Sequence, residues 1–215
     1  MRHPELDFVK WVALALVTLG HARFVWPELG WLAKPGRFAF VSLCAVMAVH
    51  ALRQGVPCRS TGRQFGYLIL AGIVSQWPFY ELTGRESGNI MLTLTCALGV
   101  MTGVRMPGLA GTALAVSSIA VPLLVPLEYG LLGVLLPASF LLALTNSNRA
   151  TWVVPIALAG LCQGSWLSLG LAAASALAVL VFLSRSWPVP ALPRVGRWAY
   201  AYYPAHMAAL AWLAH

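Results

Sequence analysis

The sequence predicts an all-α integral membrane protein, a bundle of about nine transmembrane helices (or eight) with a cytoplasmic N-terminus. Three observations predict it. Hydrophobic residues make up 60% of the chain and charged residues only 9%, and mean hydropathy is +0.78. That balance, with nine tryptophans and almost no long polar stretch, fits a membrane protein and little else. Apolar runs recur at bilayer length: at about 20 residues per crossing, 215 residues accommodate eight or nine helices and no soluble domain. Finally, arginines concentrate in alternate short loops. The whole chain, 1–215, therefore reads as one polytopic transmembrane domain.

The apolar runs fall at about 9–26, 37–53, 64–82, 88–104, 108–126, 129–146, 150–164, 166–184 and 197–214. The first is preceded by Arg2 and Lys10, as a signal peptide would be. It also contains His21 and Arg23 and lacks a small-x-small cleavage signal, so an uncleaved span is expected. Prolines at 78, 122, 137, 155 and 204 lie within or near spans, where they kink helices and release carbonyls. The seventh run is short before the Gln163-Gly164-Ser165 break, so runs seven and eight read as two tight crossings or as a re-entrant hairpin plus a span. No internal repeat is evident, and the stretch Trp187 to Pro193 is too short to separate domains.

Orientation follows from the basic residues. With nine crossings, the inner side holds Arg2, Arg53, Arg59, Arg63, Arg105, Arg149, Arg185, Arg194 and Arg197, nine in all. The outer side holds four, Arg23, Lys34, Arg37 and Arg85, together with Glu28, Glu81, Glu86 and Glu128. The excess places the N-terminus inside and the C-terminus outside; loss of the seventh span would move the C-terminus to the cytoplasm. The net charge of +8 resides in these loops, and no basic helix or basic–aromatic cluster points to nucleic acid. Cys44, Cys58, Cys96 and Cys162 are scattered with no CxxC pair, which implies neither disulfide nor metal.

His21 is the residue that most needs a reason. On a helix advancing about 100° per residue, Asp7, Lys10, Thr18 and His21 fall within about 80° of one another, and Arg23 points the other way. A charge at mid-helix costs roughly 2.5–3.5 kcal/mol on insertion scales, so such a stripe faces protein or water. The last span carries a second imidazole, His206, with Tyr203 one turn earlier on the same face and Pro204 between them. Arg37, His50, Gln76, Asn89, Glu128 and Tyr129 also lie at or within spans. Each has a plainer reading. Lys10 beside Asp7 is also what a paired helix end looks like, with the lysine snorkelling. His50 suits the interface, Gln76 and Asn89 suit interhelical hydrogen bonds worth about 0.6 kcal/mol on average, and Glu128 suits a solvated loop. A mid-span histidine fits neither anchor nor glue.

Depth is consistent with a shared site. At 1.5 Å per residue, His21 lies about 16 Å above Lys10 and His206 about 14 Å from Arg197, close to the midplane of a ~30 Å core. The expectation is that the first and last spans are neighbours.

The run Leu6-Asp7-Phe8-Val9-Lys10-Trp11-Val12-Ala13, with Gly20-His21 after it, resembles the opening of the TraX family. So do Arg37-Phe-Ala-Phe, Ile73-Val-Ser-Gln76-Trp-Pro-Phe, Asn89-Ile-Met-Leu-Thr, Glu128-Tyr-Gly-Leu-Leu-Gly and the closing Trp198-Ala-Tyr-Ala-Tyr-Tyr203-Pro204-Ala-His206. These pieces occur in the family's order and span nearly the whole chain. The resemblance implies a multi-pass protein of the bacterial inner (cytoplasmic) membrane, surrounded by lipid. It also implies acetylation of the N-terminus of a pilin subunit, with acetyl-CoA as co-substrate and no metal. The family looks related to wider transmembrane acyltransferases. One departure stands out: the family pattern has an acidic residue directly before the first-span histidine, and here that position is Gly20.

Acetyl transfer to an amine needs a base or relay nucleophile and donors for the tetrahedral oxyanion. On that reading His21 is the base or transient acyl carrier, with His206, Tyr203 and Asp7 completing the catalytic set. Lys10, Arg53, Arg59 and Arg63 would hold the phosphates of coenzyme A at the inner face. Arg37, Gln76, Asn89 and Glu128 would position the acceptor from the outer side. Two rivals use the same residues: a non-enzymatic transporter or pilus-assembly factor with a proton or substrate path, and an acyltransferase for a sugar or lipid acceptor.

Overall fold

A computed structural model describes residues 4–55, 59–163, 165–185 and 187–214. Arg2, Cys58 and Gly164 lie outside them. The described chain is all-helical, with no strand beyond one isolated bridge between Gly88 and Leu127. The helices are α1 (Pro4–Ala22), α2 (Ala33–Gln54), α3 (Arg59–Thr83), α4 (Ile90–Gly103), α5 (Leu109–Leu124), α6 (Gly130–Thr145), α7 (Val153–Leu161), α8 (Trp166–Leu183) and α9 (Trp198–Leu213). Short 3₁₀ turns at Pro27–Leu32 and Arg149–Trp152 lead into α2 and α7.

Each expected apolar run overlaps one of these helices, but their lengths correct the picture of nine full-length spans. Two segments, Pro27–Gln54 and Trp166–Leu183, are long and apolar enough by length and composition to cross a membrane. α4, α5 and α6 have only 14 to 16 residues, about 21–24 Å against a ~30 Å core. α7 has nine residues, about 14 Å. The reason is punctuation: glycines, prolines and polar residues between runs end the helices sooner than hydropathy alone indicates.

Local sequence explains the ends that position the site. Asn89 starts α4 in extended conformation, its Oδ1 accepting from the Met91 N–H at 3.0 Å. Ser165 caps α8 in the same way through the Ser168 N–H. The segment before α6 is pinned to the start of α4. The Gly88 N–H donates to the Pro126 carbonyl at 2.9 Å, the Glu128 N–H donates to the Gly88 carbonyl at 2.8 Å, and the Thr93 hydroxyl donates to the Glu128 carbonyl at 2.6 Å. Tyr129 then turns the chain at φ 66°, a left-handed conformation rare for a bulky residue, with its ring flat on Phe40 at 3.9 Å.

α2 is the axis of the bundle, buried on nearly every face from Ala39 to Ala51 and packed against α1, α6 and α8. α1 meets it where Gly20 faces Gly36: a Cβ on either would stand 3.2 Å from the other's Cα. α9 packs along α3. It meets α1 through side chains instead, and the two helices run parallel, with Trp11 beside Trp198, Thr18 bonded to Tyr202, and His21 bonded to His206. The surface is apolar and the polar groups lie inside. Trp166, Leu109, Leu124 and Trp212 are 79–88% exposed, whereas Ser42, Ser75, Asn89 and Thr93 are wholly buried.

Candidate active site

The expected meeting of the first and last helices is present. His21 Nδ1 and His206 Nε2 are 3.0 Å apart, and His206 Nδ1 lies 3.1 Å from the Tyr202 carbonyl oxygen. These contacts set the tautomers of two neutral rings. A carbonyl only accepts, so His206 carries its proton on Nδ1 and its Nε2 is an acceptor. His21 must then donate from Nδ1, which leaves a lone pair on its own Nε2. The Tyr202 carbonyl and His206 thus fix the tautomer and orientation of the His21 ring.

Neighbouring residues hold the pair. The rings stack at 5.3 Å between centroids, and Tyr203 presents itself edge-on to both. Thr18 donates to the Leu14 carbonyl at 2.9 Å, so its contact with the Tyr202 hydroxyl at 2.6 Å has the tyrosine as donor. The Tyr203 hydroxyl is buried and has no hydrogen-bond partner, which leaves its proton available for an incoming oxygen.

Two cavities reach this region from opposite ends. The larger, about 330 Å³, runs between α1, α2, α3, α4 and α9. Its mouth carries Lys10, Arg63, Arg194, Arg197 and His50; its walls are mainly apolar, including Leu14, Leu43, Met47, Leu68 and Leu94; Tyr202 and Tyr203 line it too. The smaller, about 40 Å³, is lined by His21, Arg23, Arg37, Arg85, Glu128 and Tyr129. Val17 and Ile90 line both. Glu128 pairs with Arg85 at 3.8 Å. Burial pushes its carboxyl up, opposed by Arg85, Arg37 and Arg23.

The structure divides the other expected site residues. Lys10 and Arg63 line the large cavity. Arg53 pairs instead with Glu5 at 3.6 Å, and Arg59 lies outside the lining. Asp7 is not brought to the imidazoles: it is 14 residues before His21, about 21 Å along one helix. It is buried and accepts from the Val195 N–H at 3.2 Å, while Lys10 donates to the Val195 carbonyl and Trp11 to the Pro193 carbonyl. These bonds dock the segment before α9 onto α1 and bring in Arg194 and Arg197, which sequence reading used only for orientation. The pairing of Asp7 with Lys10 at a helix mouth was the signal for such a partner.

Gln76 and Asn89 follow their plainer reading, as interhelical hydrogen-bonding groups, and not the acceptor-positioning one. Asn89 Nδ2 donates to the Gly72 carbonyl at 2.8 Å and to Gln76 Oε1 at 2.9 Å, and Gln76 Nε2 donates to the Ser87 carbonyl at 3.0 Å. Gln76 Oε1 also accepts from the Asn89 N–H. Both amides are consumed in clamping α3 to α4, and neither lines either of the two cavities described above. Asn89→Ala is expected to destabilise the fold by about 2–3 kcal/mol, since it removes a cap and strands buried partners. A thermal melt of the detergent-solubilised variant checks this.

No curated protein and no solved structure matches the chain. The sequence model of the family described as TraX protein matches residues 5–214, which contain every residue of the two cavities and both histidines. The chain belongs to the TraX family.

Proposed function

We propose that this protein is a membrane-embedded acetyltransferase that moves an acetyl group from cytoplasmic acetyl-CoA to an acceptor amine, most readily the N-terminus of a pilin subunit. TraX membership fits a role in conjugation. The observation that carries the reading is that His21, bonded to His206, lines the small polar cavity, while Tyr203, edge-on to both rings, lines the larger cavity that also holds Lys10, Arg63, Arg194 and Arg197. A multi-pass bundle in the bacterial inner membrane is supported by the apolar exterior and buried polar interior. An odd number of crossings is supported by the parallel run of α1 and α9, and an inside N-terminus by the excess of arginines on that side.

The large cavity fits the donor. Its basic mouth suits phosphates, and its narrow apolar walls suit an extended pantetheine arm that carries the thioester toward Tyr203. The acceptor amine, entering from the small cavity, attacks the thioester carbonyl carbon. Its proton passes to His21 Nε2, and the Tyr203 hydroxyl donates to the developing oxyanion. The C–S bond then breaks, the amide is released, and the coenzyme A thiolate takes a proton back from His21.

Arg194→Gln and Arg197→Gln are each expected to raise the KM for acetyl-CoA about tenfold in proteoliposomes, with kcat little changed, because they remove binding common to ground and transition states. Intact mass of the acceptor reads the product. Purified protein that neither binds coenzyme A nor turns over acetyl-CoA ends this reading and favours a transporter or pilus-assembly factor.

A further inference from the structure

The small cavity has a charge imbalance that transfer to a bare amine does not require. Arg23, Arg37 and Arg85 all line it, and Glu128 is the one acid in its described lining. Glu128 is engaged by Arg85. The Nε of Arg37 is buried without a hydrogen-bond partner, and the Arg23 guanidinium lies over the Phe24 ring at 4.6 Å. Like charges gathered in so small a space repel, and a buried charge needs a counter-charge. Guanidinium forks match carboxylate and phosphate.

From this geometry we infer that the acceptor carries an anionic group, a carboxylate or a phosphate, within a few bonds of its reacting amine, and that Arg37 and Arg23 hold it while His21 takes the amine proton. The inference rests on the acetyl-transfer reading for the amine, but the anion site stands on its own. It makes the small cavity a specificity element: an amine without an adjacent anion leaves three guanidiniums to share the single carboxylate of Glu128.

The test has a binding arm and a transfer arm, both on the full chain in nanodiscs. The Arg63→Gln, Arg194→Gln, Arg197→Gln triple variant removes three of the cations that could hold phosphate in the large cavity, and in that background inorganic phosphate is expected to raise the thermal midpoint. It should not do so once Arg37→Gln or Arg23→Gln is added to the same background. The two outer variants are independent, so misfolding of one leaves the other decisive. In the transfer arm, a short peptide with glutamate second from its free amine should be acetylated at least tenfold faster, in kcat/KM, than the glutamine version. Phosphoethanolamine against ethanolamine asks the same of a phosphate, and a preference in only one pair identifies the anion. Arg37→Gln should erase the preference. Protection by phosphate that is absent, or that survives both outer substitutions, overturns the inference whatever the transfer assay gives. Equal rates within both pairs overturn it too. Lost protection in the outer variants without any acetyl transfer keeps the anion site and discards the enzyme reading.

Discussion

His21→Ala is expected to lower acetyl transfer by about 10³-fold in proteoliposomes supplied with acetyl-CoA and an acceptor peptide, within the 10²–10⁴ range of a positioned general base. The reason is the direction of the hydrogen bonds. The Tyr202 carbonyl commits His206 Nδ1, His206 Nε2 commits His21 Nδ1, and His21 Nε2 is left as the basic nitrogen. No other imidazole lines the small cavity to replace it among the described residues. The same chain predicts a graded series at position 206. His206→Leu removes the acceptor for the His21 N–H and should cost about 10²-fold. His206→Gln can offer an amide oxygen there and should recover much of that loss. Wild-type turnover by His21→Ala would end the assignment, and equal losses in both position-206 variants would remove the orienting role given to His206.

Gly20→Asp, which supplies the acid that the resemblance to the family implies at this position, is expected to lower both thermal midpoint and activity. A Cβ at position 20 would meet the Gly36 Cα at 3.2 Å and the Leu32 carbonyl oxygen at 3.8 Å, both backbone atoms that move only with their helix. Overpacking of this kind costs about 1–3 kcal/mol. Because His21 is the next residue, prising α1 from α2 also moves the imidazole away from His206. The departure at Gly20 is thus tied to close packing against Gly36. Unchanged melting together with unchanged turnover in Gly20→Asp would contradict this account.

The histidine pair was legible before any coordinates. Helical periodicity put Asp7, Lys10, Thr18 and His21 on one face, and rise per residue put His21 and His206 at one depth. The partners of Gln76 and Asn89 were not legible, because the Gly72 and Ser87 carbonyls that absorb them become reachable only when α3 turns back against α4. Tyr203 stood out by its spacing from His206. Tyr202 matters as much, through its carbonyl to His206 and its hydroxyl to Thr18, and backbone acceptors of that kind leave no mark in composition. Arg194 and Arg197 read as orientation signals, and their place beside Lys10 depends on Asp7 holding Val195.

Residue order alone was enough for the helical class, the succession of apolar segments and the faces that carry polar groups, since each is written in neighbours within a turn or two. Folding in three dimensions decided which helices lie together, which ring nitrogen stays free, where the chain's own carbonyls use up a side chain, and why position 20 holds glycine. Those outcomes depend on contacts between residues up to 188 positions apart. Local periodicity does not encode such contacts, because the strength of a hydrogen bond or the tightness of a backbone contact depends on distances set only when the helices pack.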